Sequence, residues 1–312
     1  MKNLKKINGD ASFRKFFRRK YKNSSSILVI SEKEKNKNLL VYDAVNKILI
    51  KNKILAPNLY QENFSKHFIE IEDFGDNTIF KILIKKKNKL FYFKKIIQIL
   101  NKIQNIKDKS IKNFKNKTFI IPKYKKEVLI KEANLFCEWY SKKKLPKNDR
   151  NKFTKRFKKI TKSLSENLKL KNNVFVHRDF HISNLMLVKN KIGVIDSQDA
   201  LLGNRAYDVA SLIDDVRLKT SKSLKNKIYK LYIQKQKKLD EKKFKNDFEI
   251  LSVLRNLKII GIFTRLASRD GKKSYLKLIP YTWALINMRI NENKIFKDLK
   301  NLLVQNFKGK IK

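Results

Sequence analysis

Two neighbouring stretches of the sequence carry side chains that can move a proton and hold a metal ion. Asp179 and Asn184 lie five residues apart in "VHRDFHISNLML" (176–187), and Asp196 follows in "GVIDSQDA" (193–200). Phosphoryl transfer from ATP needs a carboxylate that orients the acceptor hydroxyl and takes its proton. It also needs an amide and a second carboxylate that hold Mg²⁺ on the phosphates. The three residues supply this set, so they predict a phosphoryl-transfer site.

The spacing is that of the H-R-D-x-x-x-x-N catalytic loop, and Asp196 stands where the metal-binding Asp of D-F-G would be. Taken singly, an Asp or Asn in a loop often only forms a turn. The conjunction of both motifs with a hairpin favours catalysis. His177 is expected to support the loop through hydrogen bonds, while His181 either faces the acceptor or braces the loop as well.

The segment that joins the two motifs predicts how they are positioned. "NLMLVKNKIGVID" (184–196) is two short apolar runs separated by "KNK", the pattern of a β-hairpin. A hairpin brings its two ends together, so the metal ligands are expected to lie side by side.

The N-terminal part reads as a small antiparallel sheet with one helix. Residues 12–21 and 26–32 are aromatic and β-branched runs around a polar turn, which predicts a hairpin. Apolar residues recur at helical spacing from Asn38 onward. After Pro57 a second strand pair is expected.

Beyond Gly75 the pattern becomes mostly helical, which indicates an α+β fold with a larger helical C-terminal lobe. The boundary is expected within "EDFGDN" (72–77), giving lobes of residues 1–75 and 76–312. A helix is predicted from about residue 205, and later helices are predicted around 222–240, 244–268, 272–290 and 292–306.

Charge is the unusual feature of the composition. The 312 residues include 76 Lys+Arg against 28 Asp+Glu, a formal net charge of +48. The basic runs are spread along the whole chain together with many Asn and Ile, which indicates codon bias rather than a polyanion-binding face. Aromatic residues interleaved with Arg, as in single-strand binders, are not evident. No dedicated nucleic-acid partner is expected.

The cysteine count and the hydropathy pattern limit the kinds of site and the cellular compartment that we expect. Cys137 is the single cysteine and the chain has three histidines, so neither a disulfide framework nor a zinc site of usual spacing is expected. No run approaches 18 apolar residues, and the N-terminus has no apolar segment typical of a signal peptide. We expect a soluble, cytoplasmic protein without a membrane partner; the sequence sets no oligomeric state.

Five stretches together resemble the aminoglycoside phosphotransferase and choline kinase superfamily. Within it they are most similar to the bacterial cell-wall amino-sugar kinases, which phosphorylate N-acetylmuramate and N-acetylglucosamine at the anomeric hydroxyl during sugar recycling. The resemblance spans residue 9 to about 276. The stretches are "GDASFRKFFR", "IEDFGD", "VHRDFHISNLM", "GVIDSQDALLGNRAYDVASLIDD" and "IIGIFTRLASRDGKKSYL".

The resemblance implies a protein-kinase-like fold with ATP held between two lobes. It assigns Asp179 as the catalytic base and Asn184 and Asp196 as Mg²⁺ ligands. It also assigns residues 1–75 to the lobe that covers the nucleotide. The turn expected over the phosphates, where backbone amides approach oxygens closely, contains Gly9, Asp10, Ser12, Phe13 and Arg14.

The same resemblance implies two further roles. The main chain at Glu72 and Phe74 is expected to meet adenine. Asp208 is expected to brace the catalytic loop, although an acidic residue at a helix start also simply complements the helix dipole.

One position departs from the kinase pattern. The strand Lys that pairs with the phosphates is replaced by Ser31 in "ILVIS". Asp43 is a candidate to replace the helix Glu that usually holds this Lys, but its spacing to Lys47 favours an ordinary i,i+4 surface pair. The candidates for the missing positive charge are Lys33, Lys35, Arg14 and Arg18.

The acceptor is expected to be a small sugar. An acceptor with a carboxylate, such as N-acetylmuramate, suits a basic protein better than a cationic aminoglycoside does. Other hydroxyl acceptors such as choline, ethanolamine or homoserine, a kinase-like polyanion-binding protein, and a regulatory pseudokinase are the alternatives. Acceptor-contacting candidates are Arg205, Arg265 and Arg269.

Overall fold

The computed structural model describes residues 4–7, 14–32, 35 and 37–311. The chain packs into two compact units. Unit 1 is Met1–Pro122 with Val174–Leu202, and unit 2 is Lys123–Asn173 with Gly203–Lys312. The units do not divide the chain at residue 75, and the lobes of residues 1–75 and 76–312 stay a prediction.

Unit 1 contains a five-stranded antiparallel sheet with the strand order β1-β2-β3-β5-β4. The predicted hairpin and the predicted second strand pair are confirmed as β2–β3 and β4–β5, whereas β1 was not predicted. The strands are β1 (Leu4–Ile7), β2 (Lys15–Lys20), β3 (Ser25–Ile30), β4 (Leu59–Asn63) and β5 (Phe68–Glu72).

Helix α1 (Lys37–Lys51) covers one face of this sheet, as its apolar spacing predicts. Ile69 and Ile71 alternate along β5, so both side chains point to the same face. They form a buried cluster with Leu39 and Tyr42 of α1. The sheet and the helix therefore share one small core, on which the position of α1 depends.

The rest of unit 1 holds short helices and hairpins, and here the helical expectation was wrong in part. A hairpin, β6–β7, interrupts it because the Asn113 side chain accepts hydrogen bonds from the backbone N–H of Lys115 and Lys117 and so closes a turn. The elements are α2 (Ile79–Lys85), α3 (Lys89–Gln104), β6 (Ser110–Lys112), β7 (Thr118–Ile120), β8 (Val174–Val176), β9 (Leu185–Val188), β10 (Lys191–Val194) and β11 (Leu201–Gly203).

Unit 2 is built from helices around the 29-residue helix α9. Gly261 lets α9 meet a π-helical turn, Phe136–Ser141, because a Cβ there would lie 2.3 Å from the Leu135 carbonyl carbon. The α+β class is confirmed. The helices are α4 (Lys126–Ala133), α5 (Lys142–Lys144), α6 (Lys147–Glu166), α7 (Ala206–Ile213), α8 (Lys222–Ile233), α9 (Glu241–Arg269), α10 (Ile279–Ile290) and α11 (Lys297–Asn306).

None of the helices formed by the described residues combines the length and the hydropathy that a membrane crossing needs.

A buried acid ties four helices of unit 2 together. Asp214, directly after α7, accepts hydrogen bonds from Arg289 Nε (2.9 Å) and Ser252 Oγ (2.6 Å), and Lys225 Nζ lies 3.2 Å from its second oxygen. Burial alone would raise the pKa of Asp214, but the two cations and the hydrogen bonds lower it to about 2. The carboxylate therefore stays charged in the folded protein and neutralises two buried cations.

Replacing Asp214 by Asn should destabilise the protein by about 3–5 kcal/mol at pH 7, because two buried cations lose their counter-ion. A folded-state pKa below the usual value gives stability that is complete above roughly pH 4 and lost as the pH falls towards 2. Urea unfolding of both proteins at pH 7 and pH 3 should show a smaller difference at pH 3.

The control is Asp298→Asn, an exposed acid in the first turn of α11, which should cost at most about 1 kcal/mol. Equal unfolding midpoints of Asp214→Asn and wild type at pH 7 would contradict this account.

Candidate active site

The β9–β10 hairpin gathers the predicted chemistry in unit 1. Asn184 precedes β9 and Asp196 follows β10 by one residue. Leu185 pairs with Val194, and the N–H of Ile195 donates to the Asn184 carbonyl oxygen over 3.0 Å. The predicted hairpin is therefore confirmed, and it sets the two predicted metal ligands at the same end.

Asp179 lies in the loop after β8 and is linked to this end. The Asn184 side-chain N–H₂ donates to the backbone carbonyl oxygen of Asp179 over 3.1 Å. This bond uses the nitrogen of the Asn184 side-chain amide. The amide oxygen, which is the atom that can bind a metal, takes no part in it. The negative charge of Asp179 adds to the effect of burial in raising the pKa of Asp196.

Asp196 combines an unusual backbone with a partly buried side chain. Its φ is 63°, in the left-handed region that residues other than glycine rarely adopt and that recurs at functional sites. Burial raises the pKa of Asp196, while the positive charge of Arg14 opposes this rise. Arg14 Nη2 lies 2.7 Å from Asp196 Oδ1, and 35% of the Asp196 side chain remains exposed.

His177 is fully buried beneath the loop. Burial lowers the pKa of His177, although the nearby acids Asp179 and Asp196 and a hydrogen bond with the backbone of Ile195 oppose this shift. Its ring contacts the edge of Phe180, with centroids 6.0 Å apart. These contacts suit a neutral ring that supports the loop; the role stays a prediction.

A cavity of about 370 Å³ in unit 1 opens beside these residues. Asn184 and Asp196 line it together with Glu72 and Phe74, the two residues predicted to face adenine. Its walls are otherwise mostly apolar, and the volume is in the range of small-molecule sites. The apolar lining residues include Ile7, Phe16, Ile27, Ile71, Met186 and Ile195.

The segment after β5, which lines this cavity, is held by contacts with β2 and β10. Arg18 of β2 donates to both oxygens of Asp73 (2.5 and 3.0 Å) and to Asp76 at 2.8 Å. The hydrogen bonds that Arg18 donates to Asp76 and Asp73 raise the pKa of Arg18. The Phe74 ring lies so close to Gly193 of β10 that a Cβ there would be 2.7 Å from it.

The remaining predicted nucleotide contacts are only partly described. Arg14 is buried next to Asp196. Asp208 is the third residue of α7 in unit 2 and fully buried, and its bracing role stays a prediction. The residues that lie outside the described part of the chain are Gly9, Asp10, Ser12 and Phe13.

The structure separates the candidates for the missing strand Lys. Ser31 donates to the backbone carbonyl oxygen of Glu32, and Lys35 pairs with the exposed Glu32 carboxylate at 3.4 Å. Lys33 lies outside the described residues. Asp43 bonds Lys47 at 2.9 Å, so the predicted i,i+4 pair forms. The expectation of a surface pair was wrong for Asp43, because its side chain is buried and also accepts a hydrogen bond from the Phe114 N–H.

The acceptor candidates all belong to unit 2. Arg205 donates to Gln236, and Arg269 pairs with its exposed neighbour Asp270. Burial lowers the pKa of Arg265. Their role towards an acceptor stays a prediction.

Sequence reasoning missed the contacts that join α1 to the metal-binding segment. Ser197 donates to Asn46 Oδ1 over 2.6 Å, and Asn46 in turn donates to the Pro57 carbonyl oxygen over 3.1 Å. Asn46 sits among the buried positions of α1, and a buried amide needs polar partners. That polar residue on an apolar helix face was the available signal.

Among residues 4–7, 14–32, 35 and 37–311, no group of three or more His, Cys, Asp or Glu is placed to hold a metal. One carboxylate and one amide form a different donor set. Such hard oxygen ligands suit Mg²⁺, which is commonly held by one or two carboxylates together with waters and substrate phosphates.

Comparison with solved structures places the fold among kinases of small molecules. A choline/ethanolamine kinase family protein from Mesorhizobium loti superposes with a TM-score of 0.63 at 9% identity, over 96% of this chain and 92% of that one. The ADP-bound aminoglycoside phosphotransferase APH(2'')-Ib gives 0.60 at 17% identity, over 91% and 94%. The fold is therefore kinase-like, as the resemblance implied.

Sequence comparison is more specific. Residues 3–234 match the phosphotransferase enzyme family, to which the chain belongs. Two curated relatives are named N-acetylmuramate/N-acetylglucosamine kinase. The protein of Neisseria meningitidis is 28% identical, and the match covers 87% of this chain and 80% of that protein. The protein of Pseudomonas putida is 26% identical, and the match covers 97% of this chain and 88% of that protein. The predicted superfamily is confirmed.

The contact of Phe74 with Gly193 predicts a specific stability defect. Gly193→Ala should destabilise unit 1 by about 1–3 kcal/mol, because the added methyl overlaps the ring. In Phe74→Leu the ring is gone, so adding Gly193→Ala should cost much less than in wild type. Urea unfolding of the four proteins gives the coupling energy, expected at about 0.5–3 kcal/mol. If the free-energy changes of the two substitutions were additive, the contact with the Phe74 ring would not be what restricts residue 193 to glycine.

Proposed function

We propose that this protein is an ATP-dependent kinase that phosphorylates the anomeric hydroxyl of N-acetylmuramate, N-acetylglucosamine or both, in cell-wall sugar recycling. The observation that carries the proposal is that Asn184 and Asp196 line a cavity suited to a small molecule, with Asn184 hydrogen-bonded to the backbone of Asp179. The names of the two curated relatives support the acceptor, and the family match supports phosphoryl transfer.

The cavity suits a nucleotide because its lining combines two kinds of group. Apolar walls and the main chain at Glu72 and Phe74 offer a place for adenine, while Asn184 and Asp196 offer oxygen ligands for a metal. Residues 1–75 form the lobe that covers the nucleotide in this proposal. The same proposal assigns the residues from Gly9 to Arg14 to cover the phosphates.

Mg²⁺ would be held by Asn184 and Asp196, and it would neutralise the negative charge of the phosphates. Asp179 orients the acceptor hydroxyl. As the hydroxyl oxygen attacks the γ-phosphorus and the bond to ADP breaks, Asp179 takes the proton. An anomeric hydroxyl is more acidic than an ordinary alcohol, so a carboxylate base is better matched to it.

Charge favours an acidic acceptor over a cationic one. The net charge of +48 attracts anions over the whole protein, and N-acetylmuramate carries a carboxylate. Arg205, Arg265 and Arg269 are the candidates to meet it. Choline and aminoglycosides are cations and would need an acidic groove.

Replacing Asp179 by Asn should lower kcat by about 10²–10⁴-fold, because the general base is lost while the shape is kept. The measurement is ATP consumption with Mg²⁺ on N-acetylmuramate, N-acetylglucosamine, choline, homoserine and an aminoglycoside. Asp149→Asn, an exposed acid of α6, is the matched control and should keep wild-type rates.

Turnover only of choline, homoserine or the aminoglycoside would overturn the proposed acceptor. A wild-type protein that is as inactive as Asp179→Asn on every acceptor, and that is retained on polyanions in a salt-sensitive way, would favour the non-catalytic binding protein.

Asn184→Ala should raise the Mg²⁺ concentration for half-maximal activity by at least about tenfold, because one of two protein ligands is lost. Excess EDTA should abolish wild-type turnover. Asn190→Gly, at the exposed turn of the same hairpin, is the control and keeps the wild-type requirement. An unchanged Mg²⁺ requirement in Asn184→Ala would remove Asn184 from the proposed metal site.

A further inference from the structure

We infer that Arg14 is the positioning residue of the metal-binding carboxylate Asp196, and that it replaces the strand-to-helix ion pair that the sequence lacks. The inference rests on the proposed function, since it gives Asp196 a metal to hold. It goes beyond that function by assigning the Arg14 side chain, rather than the backbone of its turn, a role in the site.

The first support is the geometry of the guanidinium. Arg14 Nη2 bonds Asp196 Oδ1 at 2.7 Å, and Nη1 donates to Gln198 Oε1 over 2.8 Å. Gln198 in turn donates to the same Asp196 oxygen over 3.2 Å. The planar fork of Arg thus holds two residues of the segment at once, which a lysine ammonium cannot reproduce in this geometry.

The second support is the burial of Arg14 against α1 and β2. Its side chain is only 4% exposed. The guanidinium carbon lies 5.6 Å from the ring centre of Tyr42 on α1 and 5.5 Å from that of Phe16 on β2. Burial raises the pKa of Tyr42 to about 12, so the phenol is neutral and the contact is a cation–π interaction. Arg14 therefore touches the helix, the sheet and the metal-binding segment together.

The third support is that the neighbouring charges are engaged elsewhere. Arg18 bonds Asp73 and Asp76 in the segment after β5. The hydrogen bond from Arg18 and the positive charge of Lys81, which also lines the cavity, lower the pKa of Asp76. Arg14 Nη2 lies 2.7 Å from Asp196 Oδ1.

A second link from α1 reaches the same segment. Asn46, one helical turn after Tyr42, accepts the hydrogen bond from Ser197. Tyr42 and Asn46 thus fix α1 to residues 196–198 without a Lys–Glu pair. This arrangement explains how Ser31 can occupy the strand position that usually carries Lys.

The test measures how nucleotide binding depends on Mg²⁺. Wild type, Arg14→Gln and Arg14→Lys are each titrated calorimetrically with ADP at a series of Mg²⁺ concentrations. Each protein is also titrated with adenosine in the presence of EDTA. Arg14→Gln should raise the Mg²⁺ concentration for half-maximal tightening of ADP binding by at least about tenfold, and change adenosine affinity less than about twofold. Arg14→Lys should fall between wild type and Arg14→Gln. The control Lys15→Gln removes a neighbouring exposed charge of β2 and should match wild type.

Gln198→Ala is the milder variant if Arg14→Gln does not fold, because it removes one partner of the fork and leaves the Arg14–Asp196 ion pair. It should shift the Mg²⁺ requirement in the same direction by a smaller factor. The inference would be overturned if the Arg14 variants weakened the binding of ADP and of adenosine equally, or if the Mg²⁺ requirement were unchanged in all of them. Either result would leave the proposed function standing. Wild-type protein without Mg²⁺-dependent ADP binding would overturn the proposed function as well.

Discussion

The open end of the β9–β10 hairpin, opposite its turn at Lys189 and Asn190, is the constraint on which the site depends. Antiparallel pairing of Leu185 with Val194 fixes the register, and a slip by one residue would turn every side chain to the other face. The bond between Ile195 and Asn184 continues this pairing one step further. Asn184 and Asp196 can therefore meet only if the hairpin keeps this register.

Acids close to one another must be balanced by charge. Burial disfavours the ionisation of Asp196, and the negative charge of Asp179 disfavours it further. Arg14, directly before β2, supplies the opposing positive charge, and its contacts also tie Asp196 to α1. The same principle operates in unit 2, where Asp214 neutralises Lys225 and Arg289.

The sequence predicted the parts of the site that are local in the chain. Asp179, Asn184 and Asp196 lie within eighteen consecutive residues, and the apolar runs between them already indicate a hairpin. The strand pairs around Pro57 and the amphipathic helix α1 were predicted for the same reason, because their periodicity is a local property. The hairpin β6–β7 was missed because its strands are only three residues long.

Contacts between distant parts of the chain were not predictable from one sequence. Arg14 and Asp196 are 182 residues apart, and Asn46 and Ser197 are 151 apart. Four basic residues were equally possible substitutes for the strand Lys until their partners were known. The buried polar residue Asn46 indicated that a partner exists, but only the fold identifies Ser197 as that partner.

The most direct test of the central claim is a crystal structure with Mg²⁺ and a non-hydrolysable ATP analogue. The account predicts adenine between the apolar walls near Phe74 and a metal ion about 2.0–2.1 Å from oxygens of Asn184 and Asp196. Nucleotide bound elsewhere, or a metal ion that contacts neither side chain, would contradict it.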